Sequence, residues 1–201
     1  MRVSELLELT TVPTMSVKKS HHLDVLPNDG KPIPPGRESE FLGKHIGDLN
    51  RQQVWRHRQG ITSTYLVYNP QTRISQLGCS GTRYKNNPSS LVIMGLFSGP
   101  KNTVRAADLY NFLVQDLGLT LVSDNKQSAG GYSVWKELER RYGQSINIHG
   151  FDTKTNRGVN VTTKDEPDTH VSRDELANTE PGMKRERNAV AQNLRFVASP
   201  K

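Results

Sequence analysis

Cysteine is nearly missing from this sequence. The single Cys79 excludes a disulfide within the chain and leaves no cysteine cluster to hold a metal, and that usage fits a reducing cytoplasm. Long apolar runs are missing as well. No stretch approaches the roughly eighteen residues of a membrane-spanning helix, and the opening segment Met1–Leu9 carries Glu5 and Glu8 among its apolar residues, unlike a secretory leader. A soluble, cytoplasmic protein without membrane attachment is the expectation. Apolar residues make up only 33% of the chain and its mean hydropathy is −0.66, so part of it should be solvated tail. Carboxylates are absent from Ile61 to Phe97, which leaves that stretch without an acidic base. No repeat recurs at solenoid spacing.

What is present is positive charge. The formal net charge is +7 and the isoelectric point is near 9.6, a balance that favours an anionic partner such as nucleic acid, a cofactor phosphate or an acidic surface. A chain of 201 residues fits one domain with tails. Residues 1–40 read as an arm or linker. Ser4 is a simple N-cap for a short helix over Glu5–Leu9, and Pro13, Pro27, Pro32, Pro34 and Pro35 with Gly30 and Gly36 spell extended chain. Val17–Leu26 is a candidate edge strand. From Thr163 an acidic stretch (Asp165, Glu166, Asp168, Asp174, Glu175, Glu180) passes into a basic one (Lys184, Arg185, Arg187, Arg195, Lys201), so 163–201 reads as a charged, partly disordered tail. Ser172 and Glu175 make a capping box there, and Met183–Phe196 can become helical on a partner. The arm and the tail are the candidate protein-binding segments.

Residues 41–162 are expected to form one α/β (α+β) domain with a mixed central sheet flanked by helices, its core in 60–162. Ser39–Asn50 reads as a short helix with Phe41, Leu42, His45, Ile46 and Leu49 at helical spacing, weakened by Gly43 and Gly47. The run Ile61–Tyr68, the turn Asn69–Thr72 and Arg73–Cys79 make a hairpin, and Gly78 to Pro88 read as the next connection. Leu91–Phe97 is continuously apolar, the pattern of a central strand buried on both faces. A helix follows over Val104–Leu117, then a short strand over Leu119–Ser123, a helix over Ser128–Tyr142, and a hairpin of Ser145–Phe151 with Gly158–Thr162.

Hairpin, long buried strand, loop, helix, strand, helix, hairpin is an order that resembles the GNAT N-acetyltransferase superfamily. Leu119–Asn125 followed by a helix holding Tyr132 and Trp135 looks like that family's fifth strand and fourth helix. The resemblance implies acetyl-CoA as acyl donor and no metal. Its phosphate loop falls on Gly99, Lys101, Asn102, Thr103 and Arg105, where free N–H groups at a helix start suit a pyrophosphate. It places Asp124 and Asn125 near the pantetheine arm. Tyr132 becomes the candidate acid, with Tyr142 as an alternative, and His149, Asp124 or Glu137 the candidate base. Ser98–Arg105 departs from the family's Gly-rich pattern, since Pro100 removes a donor and Asn102 and Val104 replace small residues. The ordinary alternative is a strand-to-helix turn with a basic rim, and packing on the sheet accounts better than chemistry for Tyr132 and Trp135 at their helical spacing.

Other features compete for attention. His21, His22 and Asp24 lack a third ligand at suitable spacing, so a solvated arm explains them better than a metal does. Cys79 in a strand reads as a small buried hydrophobe. Arg51, Trp55, Arg56, His57 and Arg58 form a basic aromatic cluster able to stack on single-stranded nucleic acid, or else a solvated helix end. Gly130 and Gly131 open a helix, which signals either a tight turn or close approach to a ligand or another chain segment. The compact domain with arm and tail also loosely resembles small accessory proteins of tailed bacteriophages, which implies a non-catalytic binding role.

Overall fold

A computed structural model describes residues 30–84, 87–99, 102–124, 126–127, 129–152, 157–159, 191–192 and 194–201. The readings of Ser4–Leu9, Val17–Leu26, the His21–His22 pair, Pro100, Lys101, Asn125 and the acidic stretch lie outside the described residues. The chain opens on helix α1 (Glu38–Leu42) and five strands, β1 (Lys44–Leu49), β2 (Gln52–Gln59), β3 (Thr62–Asn69), β4 (Ile74–Tyr84) and β5 (Asn87–Ser98). Helix α2 (Ala106–Gln115), β6 (Thr120–Val122), β7 (Lys126–Gln127), helix α3 (Ala129–Tyr142) and β8 (Ile146–Asp152) follow. The last described elements are β9 (Arg157–Val159), β10 (Ala191–Gln192) and β11 (Leu194–Pro200).

Nine strands form one mixed sheet in the order β1-β2-β3-β4-β5-β6-β11-β8-β9. The fold is therefore α+β and dominated by strands. β1 to β5 are an antiparallel meander, as their short turns require. The β3–β4 turn is shaped by Asn69, whose Oδ1 accepts the N–H groups of Gln71 and Thr72 at 2.9 and 3.1 Å. β5 and β6 are parallel, and α2 makes the crossover that parallel neighbours need.

Strand alternation gives the sheet two buried faces. Tyr65, Val67, Cys79, Leu91 and Ile93 face α2 and α3, which cover them with Leu109, Leu113, Trp135 and Leu138. Leu66, Tyr68 and Phe97 face the other way, under Leu42 of α1 and Ile33. Burial on both faces is what the continuous apolar run of β5 encodes.

Several expectations are corrected. The helix over Ser39–Asn50 stops after Leu42, because Gly43 takes φ +83° and its Cα packs where a Cβ would lie 2.5 Å from the Arg56 carbonyl. The rest of that segment is β1, and the basic cluster after it is strand β2 rather than a helix end. Gly78 and Gly81 sit inside β4 instead of in a connection, since their missing side chains make room for Phe97 and Leu91. The arm reaches into the domain: Ile33 is 1% exposed and its N–H donates to the Arg73 carbonyl at 2.8 Å. The tail ends in structure as well. β11 lies between β6 and β8, paired with both, and buries Phe196, Val197 and Ala198. The partner of β8 proposed at Gly158–Thr162 is β9, a three-residue strand on the sheet's outer edge.

Candidate functional site: a cleft beyond the parallel strand pair

β5 and β6 pair only over Ser90–Thr120, Leu91–Leu121 and Val92–Val122. β5 then runs on to Ser98 held by β4 alone among the described residues. At that end lies a cleft of about 400 Å³, lined by Leu77, Leu96, Phe97 and Ser98 of the strands and by Asn102 to Ala106.

The loop after β5 is held by its own polar groups. The Gly99 N–H donates to the Gln76 carbonyl at 2.7 Å, and Asn102 N–H returns to the Gly99 carbonyl at 3.2 Å. The Asn102 side chain staples the turn: Nδ2 donates to Ser98 Oγ at 2.9 Å and to the Val104 carbonyl at 2.8 Å, while Oδ1 accepts the Val104 N–H at 2.9 Å. Thr103 Oγ1 donates to Oε1 of the buried Gln76 at 3.0 Å. Val104 is buried, just before Arg105 at the N-cap of α2, and Leu109, the fourth residue of the helix, is buried with it, the placement of a hydrophobic staple. The helix start leaves the N–H groups of Ala106 and Ala107 without intrahelical acceptors.

Charge at this helix start is arranged in two linked groups. Arg105 Nη1 lies 3.2 Å from Oε1 of Glu137, which also receives two hydrogen bonds from Arg140 at 2.9 and 3.0 Å. The Arg140 hydrogen bond, with the charges of Arg140, Arg105 and Arg141, holds the Glu137 carboxyl below the usual carboxylate range, which makes it a poor proton acceptor. Asp108, 7% exposed in the first turn, accepts the Tyr142 hydroxyl at 2.7 Å and Asn50 Nδ2 at 3.3 Å, with Arg141 at 3.3 Å. Its negative charge sits where the helix dipole favours it.

The structure brings Asn102, Thr103 and Arg105 together on the cleft, with Gly99 in the same loop. Tyr132 does not line the cleft. It is 8% exposed and packs on Phe196 with ring centroids 5.5 Å apart, Lys136 Nζ lies over the ring 4.8 Å from its centroid, and burial pushes its phenol up. Tyr142 is engaged by Asp108. His149 is exposed on β8, opposite Val197 of β11, and is likewise not on the cleft. The carbonyl of Asp124 accepts Ser123 Oγ at 3.0 Å just beyond β6. In the unusual loop, Lys126–Gln127 pair with Ala191–Gln192, while Gly130 has neither a close neighbour nor a positive φ, so neither close approach nor a tight turn accounts for it. Nothing in the sequence marks Gln76 or Leu77 for the site: Gln76 stands beside Ser75 in a strand that also holds Ser80, Thr82 and Arg83. Cys79 is fully buried and desolvation pushes its thiol up to about 12, so it is no nucleophile.

No group of three His, Cys, Asp or Glu side chains among the described residues is arranged to hold a metal, and no described helix is long and apolar enough to cross a membrane. No protein-family model matches the chain, and no curated protein or solved structure matches it either.

Proposed function

We propose that this chain is a divergent N-acyltransferase of GNAT-like organisation that takes acetyl-CoA in the cleft beyond β5 and passes the acetyl group to an amine. The observation that carries the reading is the parallel strand pair that ends at Val92 and Val122 while β5 continues to Ser98. An extended ligand bearing amides can pair with the strand edge left there, as an added strand would. The start of α2 supports the phosphate end: two free N–H groups, the positive dipole end and the Arg105 cation lie beside Ser98, Asn102 and Thr103.

A second reading, a non-catalytic binding protein such as a virion-associated accessory component, is favoured by one observation. Tyr132 and Tyr142 are both committed to packing or to Asp108, and among the described residues the cleft lining holds no Asp, Glu, His or Tyr to move a proton. Thermal-shift titration separates the possibilities. Acetyl-CoA at a hundred times its dissociation constant should stabilise the fold by about 2.7 kcal/mol. A shift accompanied by amine-dependent release of free coenzyme thiol supports the transferase; a shift without turnover supports the binding protein. No shift at millimolar acetyl-CoA overturns coenzyme binding altogether.

A further inference from the structure

The cleft is lined by one charged side chain among the described residues, Arg105, and that guanidinium is already engaged. From the N-cap of α2 it reaches across to α3, where Nη1 lies 3.2 Å from Glu137 Oε1. An anion entering the cleft therefore meets a cation that a carboxylate of the same chain has taken first.

Glu137 does not depend on that contact. Arg140 holds both of its oxygens, Nη2 donating to Oε1 at 2.9 Å and Nε to Oε2 at 3.0 Å, the forked arrangement that fits a guanidinium to a carboxylate. Arg141 Nη1 stands 3.6 Å from Oε1 as well. Arg105 contributes a single, longer contact and its side chain is 63% exposed, so it can swing away at little cost, because exposed pairs of this kind are weak. Its release strands no other group: Glu137 keeps Arg140 and Arg141, and Asp108 keeps Tyr142, Asn50 and Arg141. The three guanidinium groups share two carboxylates, Glu137 and Asp108, so one positive charge is in surplus, and Arg105 is the cation that reaches the cleft.

We propose that Glu137 is a built-in competitor for the anionic group of the ligand: it holds Arg105 against α3, and a phosphate ester arriving in the cleft takes the guanidinium over while Arg140 keeps the carboxylate in place. The identity of the ligand rests on the coenzyme reading; the exchange at Arg105 requires only its charge. A carboxylate brings Arg105 no more than Glu137 already does, so the exchange favours a group with more charge and more acceptor oxygens, which a pyrophosphate ester is. Glu137 is thus a positioning residue that sets which anions the cleft accepts and how tightly.

The test is isothermal titration calorimetry of the full chain with acetyl-CoA, and separately with inorganic pyrophosphate, in the parent, E137Q, R105Q and R105Q/E137Q. Glu137→Gln keeps an acceptor for Arg140 and removes the charge, so this variant should melt close to the parent and bind the probes about two- to fivefold more tightly. Arg105→Gln should weaken binding about tenfold, and in that background the second substitution should change nothing. A merely structural Glu137, or a general effect of surface charge, would act alike in both backgrounds. Unchanged or weaker binding in E137Q overturns the proposal, as does equal tightening with and without Arg105. Acetyl-CoA binding without this pattern overturns it and leaves the coenzyme reading standing, whereas the pattern with pyrophosphate alone upholds it and overturns the coenzyme reading. Binding of neither probe overturns both.

Discussion

Ser123 and Phe196 stand 73 positions apart and bond to each other twice: the Ser123 N–H donates to the Phe196 carbonyl at 2.8 Å, and the Phe196 N–H donates to Ser123 Oγ at 2.9 Å. The serine hydroxyl takes over the ladder just past the end of β6, so that β11 is held where the short strand runs out. Both residues are buried, at 1% and 0% exposure.

Ser123→Ala should therefore leave a buried N–H without an acceptor and cost about 1–3 kcal/mol in urea unfolding. Phe196→Ala should cost about 3–5 kcal/mol, because the fully buried ring packs on both Tyr132 and Trp135. Deleting 194–201 removes the strand between β6 and β8, and the truncated chain should show no cooperative transition. A truncated chain that melts like the parent would refute the placement of β11.

The hairpin of β3 and β4, the long buried β5, the two helices and β6 were legible because each carries a local period, β-branched alternation in one case and apolar spacing of three and four in the other. β11 was not legible for a reason visible in Leu194–Pro200 itself: seven residues holding Arg195, Ser199 and Pro200 have no pattern that separates them from a basic tail. Its partners lie far away in sequence, and only tertiary pairing makes it a strand. β1 failed differently, since Phe41, Leu42, His45, Ile46 and Leu49 fit a helix until Gly43 is given its positive φ. At the cleft, the loop Gly99–Arg105 was found from residue type, whereas Gln76 and Leu77 come from the strand beside it and needed the β4–β5 register. Tyr132 stands on α3, where its helical spacing puts it, and the side chain meets Phe196 and does not line the cleft.

The hydrogen bond from Tyr142 to Asp108 ties α3 to α2, and Asn50 adds the β1–β2 turn. Tyr142→Phe should cost about 1 kcal/mol, and Asp108→Ala about 2–3 kcal/mol because the phenol, the Asn50 amide and the Arg141 charge all lose their acceptor. The double variant should cost less than the sum, the signature of a shared interaction in a double-mutant cycle.

The same contact sets an alkaline limit. Burial, then the hydrogen bond and charge of Asp108, raise the Tyr142 phenol above its ordinary value of 10.0, and burial raises Tyr68, Tyr110 and Tyr132 in the same direction. A raised folded pKa means the native state holds more protons than the unfolded one above pH 10.0. Stability should be at its full value below that pH and fall as pH rises toward the folded values. Melting temperature measured from pH 8 upward should fall more gently for Tyr142→Phe than for the parent.

Cys79 offers a check on the core beneath both helices. With its side chain fully buried and its thiol raised to about 12, the native protein should not react with a thiol-specific disulfide reagent at pH 8. One equivalent should react once guanidinium unfolds the chain. Rapid labelling without denaturant would show that β4 is open to solvent at Cys79, contrary to its place in the core.

Phe97 lies across Gly78 of the neighbouring strand, so that a Cβ there would stand 2.0 Å from its ring. The ring is 6% exposed, belongs to the cluster under α1 and also lines the cleft, which gives it little room to retreat. Gly78→Ala should therefore destabilise by about 1–3 kcal/mol through overpacking. A smaller side chain opposite should absorb the added methyl: in the Gly78→Ala background, Phe97→Leu should be less harmful than in the parent, where it only leaves a void. If the cleft binds acetyl-CoA, the Gly78→Ala variant should also show a weaker thermal shift at fixed ligand, because a displaced Phe97 ring moves one wall of that cleft. Equal shifts in variant and parent would separate the packing of β4 on β5 from the binding site.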